Sequence, residues 1–228
     1  MKQSKQYKEK NKLIDKTNFY NPDEAMALLK EVSYAKYTES VELHFNLGID
    51  PKHADQQLRG TVSLPKGIGK NKKVLVIAEG EDANQAKDNG ADYVGSDDYI
   101  EKIQGGWFDF DVVISTPSLM KKIGRLGKVL GAKGLMPNPK LGTVTKNIVE
   151  AIKNIKSGQI EYKTDKSGIV HASIGKSSFK EEELMKNIKF FYQELNKAKP
   201  STSKGVFVKR MFISSTMGPG LKVDLSSV

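Results

Sequence analysis

Apolar positions in this chain recur at more than one spacing, and the points where the spacing changes divide it. Val41, Leu43, Phe45 and Leu47 alternate with Glu42, His44 and Asn46, the period of a strand with one buried face. Ahead of it, Asn21-Pro22-Asp23-Glu24 has the form of a helix start: Asn as cap, Pro at the first helical position, Glu three after the cap to reach back to it. The helix is expected to run to about Val32. From Lys73 short apolar runs alternate with helical stretches. These are Val74 to Ala78, a polar helix ending at Asn89-Gly90, Asp92-Tyr93-Val94, a helix over Asp97 to Gln104, Val112-Val113-Ile114, a helix start at Thr116-Pro117 and an amphipathic stretch from Thr145 to Lys156. Strands alternating with helices imply a small parallel sheet.

After Gly158 the earlier character returns. Gln159 to Lys163 and Gly168 to Ile174 read as two strands joined into a hairpin by Thr164-Asp165-Lys166-Ser167. Ser178 with Glu181 has the spacing of a second capping box, opening a long helix that stops before Pro200. Val206, Val208, Met211 and Ile213 then mark a further strand region. The expected fold is a split α+β domain, an antiparallel sheet with helices, interrupted by an inserted α/β domain with a small parallel sheet. Residues 1–66 and 158–228 make the first and 67–157 the second, with hinges at Pro65 to Gly67 and at Ser157-Gly158.

Charge changes the picture more than composition does. The chain has 228 residues, with 37 Lys and Arg against 27 Asp and Glu, a formal +10, which favours polyanionic partners. Within the insertion the charges segregate: ten of its eleven acids lie between Glu79 and Asp111, while Lys121 to Lys156 carries nine basic groups and one acid. One side of that domain should therefore be positive. The absence of cysteine removes disulfides, Cys-ligated zinc and thiol nucleophiles together, and fits a reducing compartment. No apolar run approaches the ~18 residues of a membrane span. Met1 to Asp15 is Lys-rich with no apolar stretch after it, so it is read as a frayed basic tail rather than a signal peptide.

Enzyme chemistry finds little support. Gly175-Lys176-Ser177 follows a strand and precedes a helix like the end of a phosphate-binding P-loop, the one motif that favours a nucleotide-dependent enzyme. The first glycine of that motif is replaced by Val170, inside the strand. Gly67-Ile68-Gly69-Lys70 precedes the first strand of the insertion, the wrong side for a dinucleotide fingerprint, and reads as a hinge. His44, His53 and His171 lack metal spacing, and neither metal nor cofactor is expected.

Three segments suit RNA. Gly124 to Gly134 places four glycines and the basic Arg125, Lys128 and Lys133 within eleven positions, giving charge without bulk for phosphate contact; a loop that needs glycine for its own turns explains it as well. Ala35 to Ser40 combines a cation, a ring, hydroxyls and a carboxylate, groups that stack on bases and meet 2′-hydroxyls; a solvated loop with a packed tyrosine explains it as well. Ser214 to Gly220 carries no charge, so phosphate attraction does not explain it; exposed hydroxyls and backbone amides could meet riboses at short range.

Taken in order, Lys36-Tyr37-Thr38-Glu39-Ser40-Val41-Glu42, Asp55 to Val62, the run ending Gly134-Leu135-Met136-Pro137-Asn138-Pro139, and Ser214 to Gly220 followed by Lys222-Val223-Asp224 resemble the ribosomal protein L-one family, the proteins of the mobile large-subunit stalk, over essentially the whole chain. The resemblance implies a Rossmann-like insertion and binding to a junction of large-subunit rRNA. It also implies help in releasing deacylated tRNA from the exit site, repression of the chain's own operon mRNA as in bacterial members, a cytoplasmic location and a monomer when free. Lys36, Tyr37, Ser40 and Glu42 match the family's first RNA-contacting segment. Ser215, Thr216, Met217 and Gly218 fall in its second, and Lys166, Ser167, Gly168 and His171 in a hairpin beside them. Tyr37 stands where the family usually has Phe, Ser40 where it often has Thr, and Lys66 where His is common. Arg125, Lys128 and Lys133 are candidate tRNA or rRNA contacts, and Pro65, Gly67 and Gly158 candidate hinge residues.

Overall fold

The computed structural model describes residues 4–227. In chain order the helices and strands are α1 (Lys5–Asn11), α2 (Pro22–Val32), β1 (Ser40–Leu47), β2 (Arg59–Ser63), β3 (Val74–Ile77), α3 (Glu81–Asp88), β4 (Tyr93–Gly95), α4 (Asp97–Gln104) and β5 (Val112–Ser115). They continue as α5 (Met120–Ile123), α6 (Gly127–Ala132), α7 (Ile148–Lys156), β6 (Gln159–Lys163), β7 (Ile169–Lys176), α8 (Glu181–Lys197), β8 (Val208–Ser215) and β9 (Leu221–Val223). The chain separates into two units, one running through Gly69 and resuming at Ile160, the other Lys70–Gln159.

In the split unit the strand order is β7-β1-β8-β9, every pair antiparallel. Val41, Leu43, Phe45 and Leu47 of β1 are all buried, and α2 and α8 pack on that face with Met26, Leu29, Val32, Leu184, Ile188, Phe191 and Leu195. Phe45 stacks on Phe191 at 5.7 Å. On the other face, Ser40, Glu42, His44 and Asn46 are only half-buried. This arrangement hides one side of β1 and offers the other.

In the second unit a parallel sheet, β4-β3-β5, is covered on both faces. Leu75 and Ile77 of β3 face Ile100, Ile103, Ile123, Leu126 and Leu130; Val74 and Val76 face Ala86, Ile148, Ile152 and Ile155. Burial on both sides explains why β3 reads as an unbroken apolar run rather than an alternation.

Several expectations need correction. The two strands around Asp165 do not form a hairpin ladder: β6 pairs with β2 and β7 with β1, and Thr164–Val170 is an isolated bridge. Thr164 decides this, donating its N–H to Leu58 O (3.0 Å) while its Oγ1 accepts from Leu58 N (3.2 Å), which commits β6 before the chain turns. The glycine-rich segment is helical, not a loop, because Ile123, Leu126 and Leu130 recur at helical spacing and are fully buried; that stripe outweighs the roughly 1 kcal/mol per glycine that opposes helix. The capping box before α8 lies two residues later than Ser178, where the Lys180 N–H donates to Glu183 Oε2 (3.2 Å). Asn21 stands at the cap of α2, but its side chain makes no bond to the helix. The basic tail is not frayed where described: α1 is capped by Ser4, and Ile14 is buried. Met1 to Gln3 of that tail lie outside the described residues.

Candidate nucleic-acid interface

Two segments 176 residues apart meet at one end of the four-stranded sheet. Ser40 N donates to Thr216 Oγ1 (3.0 Å) and Thr216 N to Ser40 O (3.1 Å), extending the β1–β8 ladder one step past Val41 and Ser215. Lys176 Nζ, on the other neighbour of β1, donates to Ser40 Oγ (2.8 Å). That bond, and the place of Gly175 and Lys176 inside β7, removes Lys176 from any phosphate-binding loop.

The group that holds this end together is the carboxylate of the Ala35 to Ser40 segment, which the sequence offered as a contact for RNA and which is instead turned inward. Glu39 is only 1% exposed. Its Oε1 accepts from Tyr34 N (3.2 Å) and Ala35 N (2.9 Å), and its Oε2 from Met217 N (2.9 Å). Burial pushes its pKa up, but the backbone N–H groups of Met217, Ala35 and Tyr34 and the Ser215 hydroxyl outweigh it, so the carboxyl lies below its ordinary range. One carboxylate thus ties the loop before β1 to the loop after β8. The Tyr34 hydroxyl adds a second tie, donating to Met217 O (3.0 Å).

This fixed backbone presents Lys36, Tyr37, Thr216 and Met217 to solvent. Tyr37 is 56% exposed and Met217 49%, a ring and a thioether held out beside a cation and a hydroxyl. Ser215, expected among the contacts, is buried instead; its Oγ accepts from Gly218 N (3.1 Å). It shapes the loop rather than touching a ligand. Gly218 has its own reason: a Cβ there would lie 2.4 Å from Ser215 Oγ. All three hydroxyls of the Ser214 to Thr216 run are therefore bonded inside the protein, Ser214 Oγ lying 2.9 Å from His44 Nε2 and Thr216 Oγ1 accepting from Ser40 N.

The turn around Lys166, Ser167 and Gly168 is not beside this seam. Gly168 O accepts from Leu47 N (3.0 Å), at the far end of β1, roughly 23 Å from Ser40 at the usual rise per strand residue. Asp165 builds the turn by accepting from Ser167 N and Ile169 N, both at 2.8 Å. Gly168 takes φ 75°, a left-handed conformation that glycine adopts without strain. Between the two ends, on the open face, lie Glu42, opposite Ser173 and Ser214, and a row of His171, His44, Phe212 and Lys222 across all four strands. His44 Nδ1 and His171 Nδ1 are 2.8 Å apart. Burial, then the neighbouring His171, lowers the pKa of His44, so it is neutral near pH 7. Phe212 and Lys222 are members of this row that the reading of separate segments missed; strand pairing alone exposes them.

In the second unit Arg125 and Lys128 are exposed and share a helical face with Lys121, at three- and four-residue spacing. Lys133 stands apart, its Nζ 4.2 Å from the Phe108 ring centroid. At the crossing, Gly67 takes φ 64°, and the buried Asn187 of α8 accepts from Lys66 N (3.2 Å) and donates to Gly67 O (3.0 Å) and Ile174 O (2.8 Å). Pro65 and Gly67 thus sit in a segment tied to the split unit, which ends at Gly69. Gly158 takes φ 101° beyond α7. Among the described residues no cluster of three or more His, Cys, Asp or Glu could hold a metal ion, and no helix is long and apolar enough to cross a membrane.

Comparison with known proteins follows the same outline. Residues 29–219 match the Ribosomal protein L1p/L10e family. The chain is 53% identical to the large ribosomal subunit protein uL1 of Lactobacillus johnsonii, over 98% of this chain and 97% of that one. It is 52% identical to the protein of the same name from Lactobacillus gasseri and 51% to that from Lactobacillus acidophilus, at the same coverage.

Proposed function

The chain belongs to the Ribosomal protein L1p/L10e family, and from that premise we propose that it grips large-subunit rRNA through the seam where Ser40 meets Thr216. It is a protein of the large ribosomal subunit, located in the cytoplasm, and not an enzyme. The observation that carries the RNA reading is the Glu39 clamp: three backbone N–H groups from two ends of the chain converge on one carboxylate, so Lys36, Tyr37, Thr216 and Met217 are held in position before any ligand arrives. Such preorganisation lowers the ordering cost of binding. A ring and a thioether can pack on bases and riboses, while Lys36 and the positive net charge supply attraction without selecting a sequence.

The polar face of β1 and β7, with Glu42 and His171 respectively, continues the contact toward Lys166, Ser167 and Gly168. The same surface serves the chain's own operon mRNA by meeting a similar RNA shape. Arg125 and Lys128 of the inserted domain meet exit-site tRNA during its release, with the crossing beyond the anchored Pro65 to Gly67 segment and that at Gly158 as the flexible connections. The free protein is a monomer. Met217→Ala tests the seam: affinity for a stalk rRNA fragment should fall about tenfold with the circular-dichroism spectrum unchanged. Equal affinity in a folded variant removes Met217 from the interface. In competition with bulk tRNA at two salt concentrations the parent should keep its preference for the fragment; a preference that vanishes with salt would reduce the protein to a general basic binder.

A further inference from the structure

We propose that an aromatic cleft on the acidic side of the Lys70–Gln159 unit docks a basic peptide segment of a protein partner, seating an arginine or lysine cation on its rings. Tyr93 of the edge strand β4, Tyr99 of α4 and Trp107 enclose a cleft of about 450 Å³ together with Lys102. The Trp107 ring meets Tyr93 edge-on at 4.9 Å and Tyr99 at 5.5 Å. All three rings are half-buried, so each keeps a polarisable surface toward solvent.

The platform is rigid. Gly95 lets the Tyr99 ring lie against β4, since a Cβ there would come within 2.4 Å of that ring. Trp107 packs inward on Phe110 at 5.4 Å. The Tyr93 hydroxyl donates to Asp109 Oδ2 (2.9 Å), whose Oδ1 accepts from Lys73 (2.7 Å).

Its surroundings choose the ligand. Glu79 to Asp111 holds ten acids and two bases. On α4, Asp98 lies one helical turn before Glu101 and Lys102, at the margin of the cleft, both acids exposed and without ion-pair partners among the described residues. A nucleobase could stack on these rings, but its phosphates would meet that negative field. A cation gains from both, from the ring quadrupoles and from the carboxylates. Lys102, the one charged residue of the lining, already seats its Nζ 4.6 Å from the Tyr99 centroid, which leaves Tyr93 and Trp107 for an incoming cation. Guanidinium groups, planar and weakly hydrated, suit such faces best.

Trp107 is the sole tryptophan of the chain, so its fluorescence reports on the cleft directly. Titrating an oligo-arginine peptide into the full chain at low salt should change Trp107 emission saturably, and added salt should weaken the effect. The double variant Asp98→Asn/Glu101→Gln, both surface positions, should bind about tenfold more weakly with the same circular-dichroism spectrum. An emission that never saturates, a double variant that binds as tightly as the parent, or a response to oligouridylate in place of the peptide would each overturn the proposal.

Discussion

Glu39→Gln isolates the clamp with the smallest possible change of shape. The amide keeps one oxygen for Tyr34 N and Ala35 N, but turns an NH2 group toward Met217 N, so two donors face each other where a carboxylate accepted at 2.9 Å. A hydrogen bond to a charged group contributes about 1.5 to 3 kcal/mol, and a buried N–H left without an acceptor costs about 1 to 3 kcal/mol. With 1% exposure at Glu39 little water can compensate, so about 3 kcal/mol of local stability should be lost at the seam. That corresponds to roughly a hundredfold faster amide hydrogen exchange at Met217, smaller effects at Ala35, and little change in the amides of β3, which lies in the other unit. The pH dependence carries a second signature. Because the folded pKa lies below the ordinary value of 4.5, the clamp's contribution is complete above that value and is lost as pH falls through the folded pKa. The parent should show this loss in Met217 exchange and the Gln variant should not. A folded variant with unchanged exchange at Met217 would refute the clamp.

Gly218→Ala should displace Ser215 Oγ from its bond to Gly218 N and lower affinity for a stalk rRNA fragment about tenfold, with a thermal midpoint shifted by only a few degrees; undiminished binding would mean that the loop tolerates the extra carbon. Asn187→Leu removes three hydrogen bonds from a fully buried side chain and should cost about 2 to 4 kcal/mol in urea unfolding, with Gly67 and Lys66 amides exchanging faster than the rest of the split unit. His44 has a folded pKa below its unfolded value, so the folded state binds fewer protons and stability falls as pH drops from about 6.5 toward the folded pKa. His44→Gln should flatten that part of a melting profile taken from about pH 7.5 to about pH 5, and an unaltered slope would assign it to other groups.

Element type was legible wherever a single period held over several residues. Alternation from Val41 to Leu47 identified β1 and its buried face, and the paired faces of β3 appeared as an unbroken apolar run. Partners were less legible, because alternation says which face a strand buries and not which strand lies beside it; only Thr164, by bonding to Leu58, separates β6 from β7. The helical turn through Leu126 and Leu130 was hidden by its glycines, whose propensity argues against what the leucine spacing achieves. Within the candidate site, the segments holding the exposed Lys36, Tyr37, Thr216 and Met217 were visible from residue type, and the individual residues from the family resemblance. Glu39 was visible only as a carboxylate that could meet RNA; its role as a buried clamp could not be read until the N–H groups around it were located. The His44 to Lys222 row was hidden for a related reason, its members being scattered over four strands that only pairing brings abreast.

The bond between Ser40 and Thr216 also sets a schedule for biosynthesis. While the chain is being made, Ser40 emerges 176 residues before its partner, a lag of roughly 10 to 35 s at ordinary elongation rates. Through that interval β1 lacks the β8 neighbour that completes its ladder, and Glu39 lacks the Met217 N–H. A nascent chain therefore has no assembled seam with which to capture RNA. Truncation ahead of Thr216 should yield a product that retains the Lys70–Gln159 unit yet fails to bind the stalk rRNA fragment proposed for the finished protein.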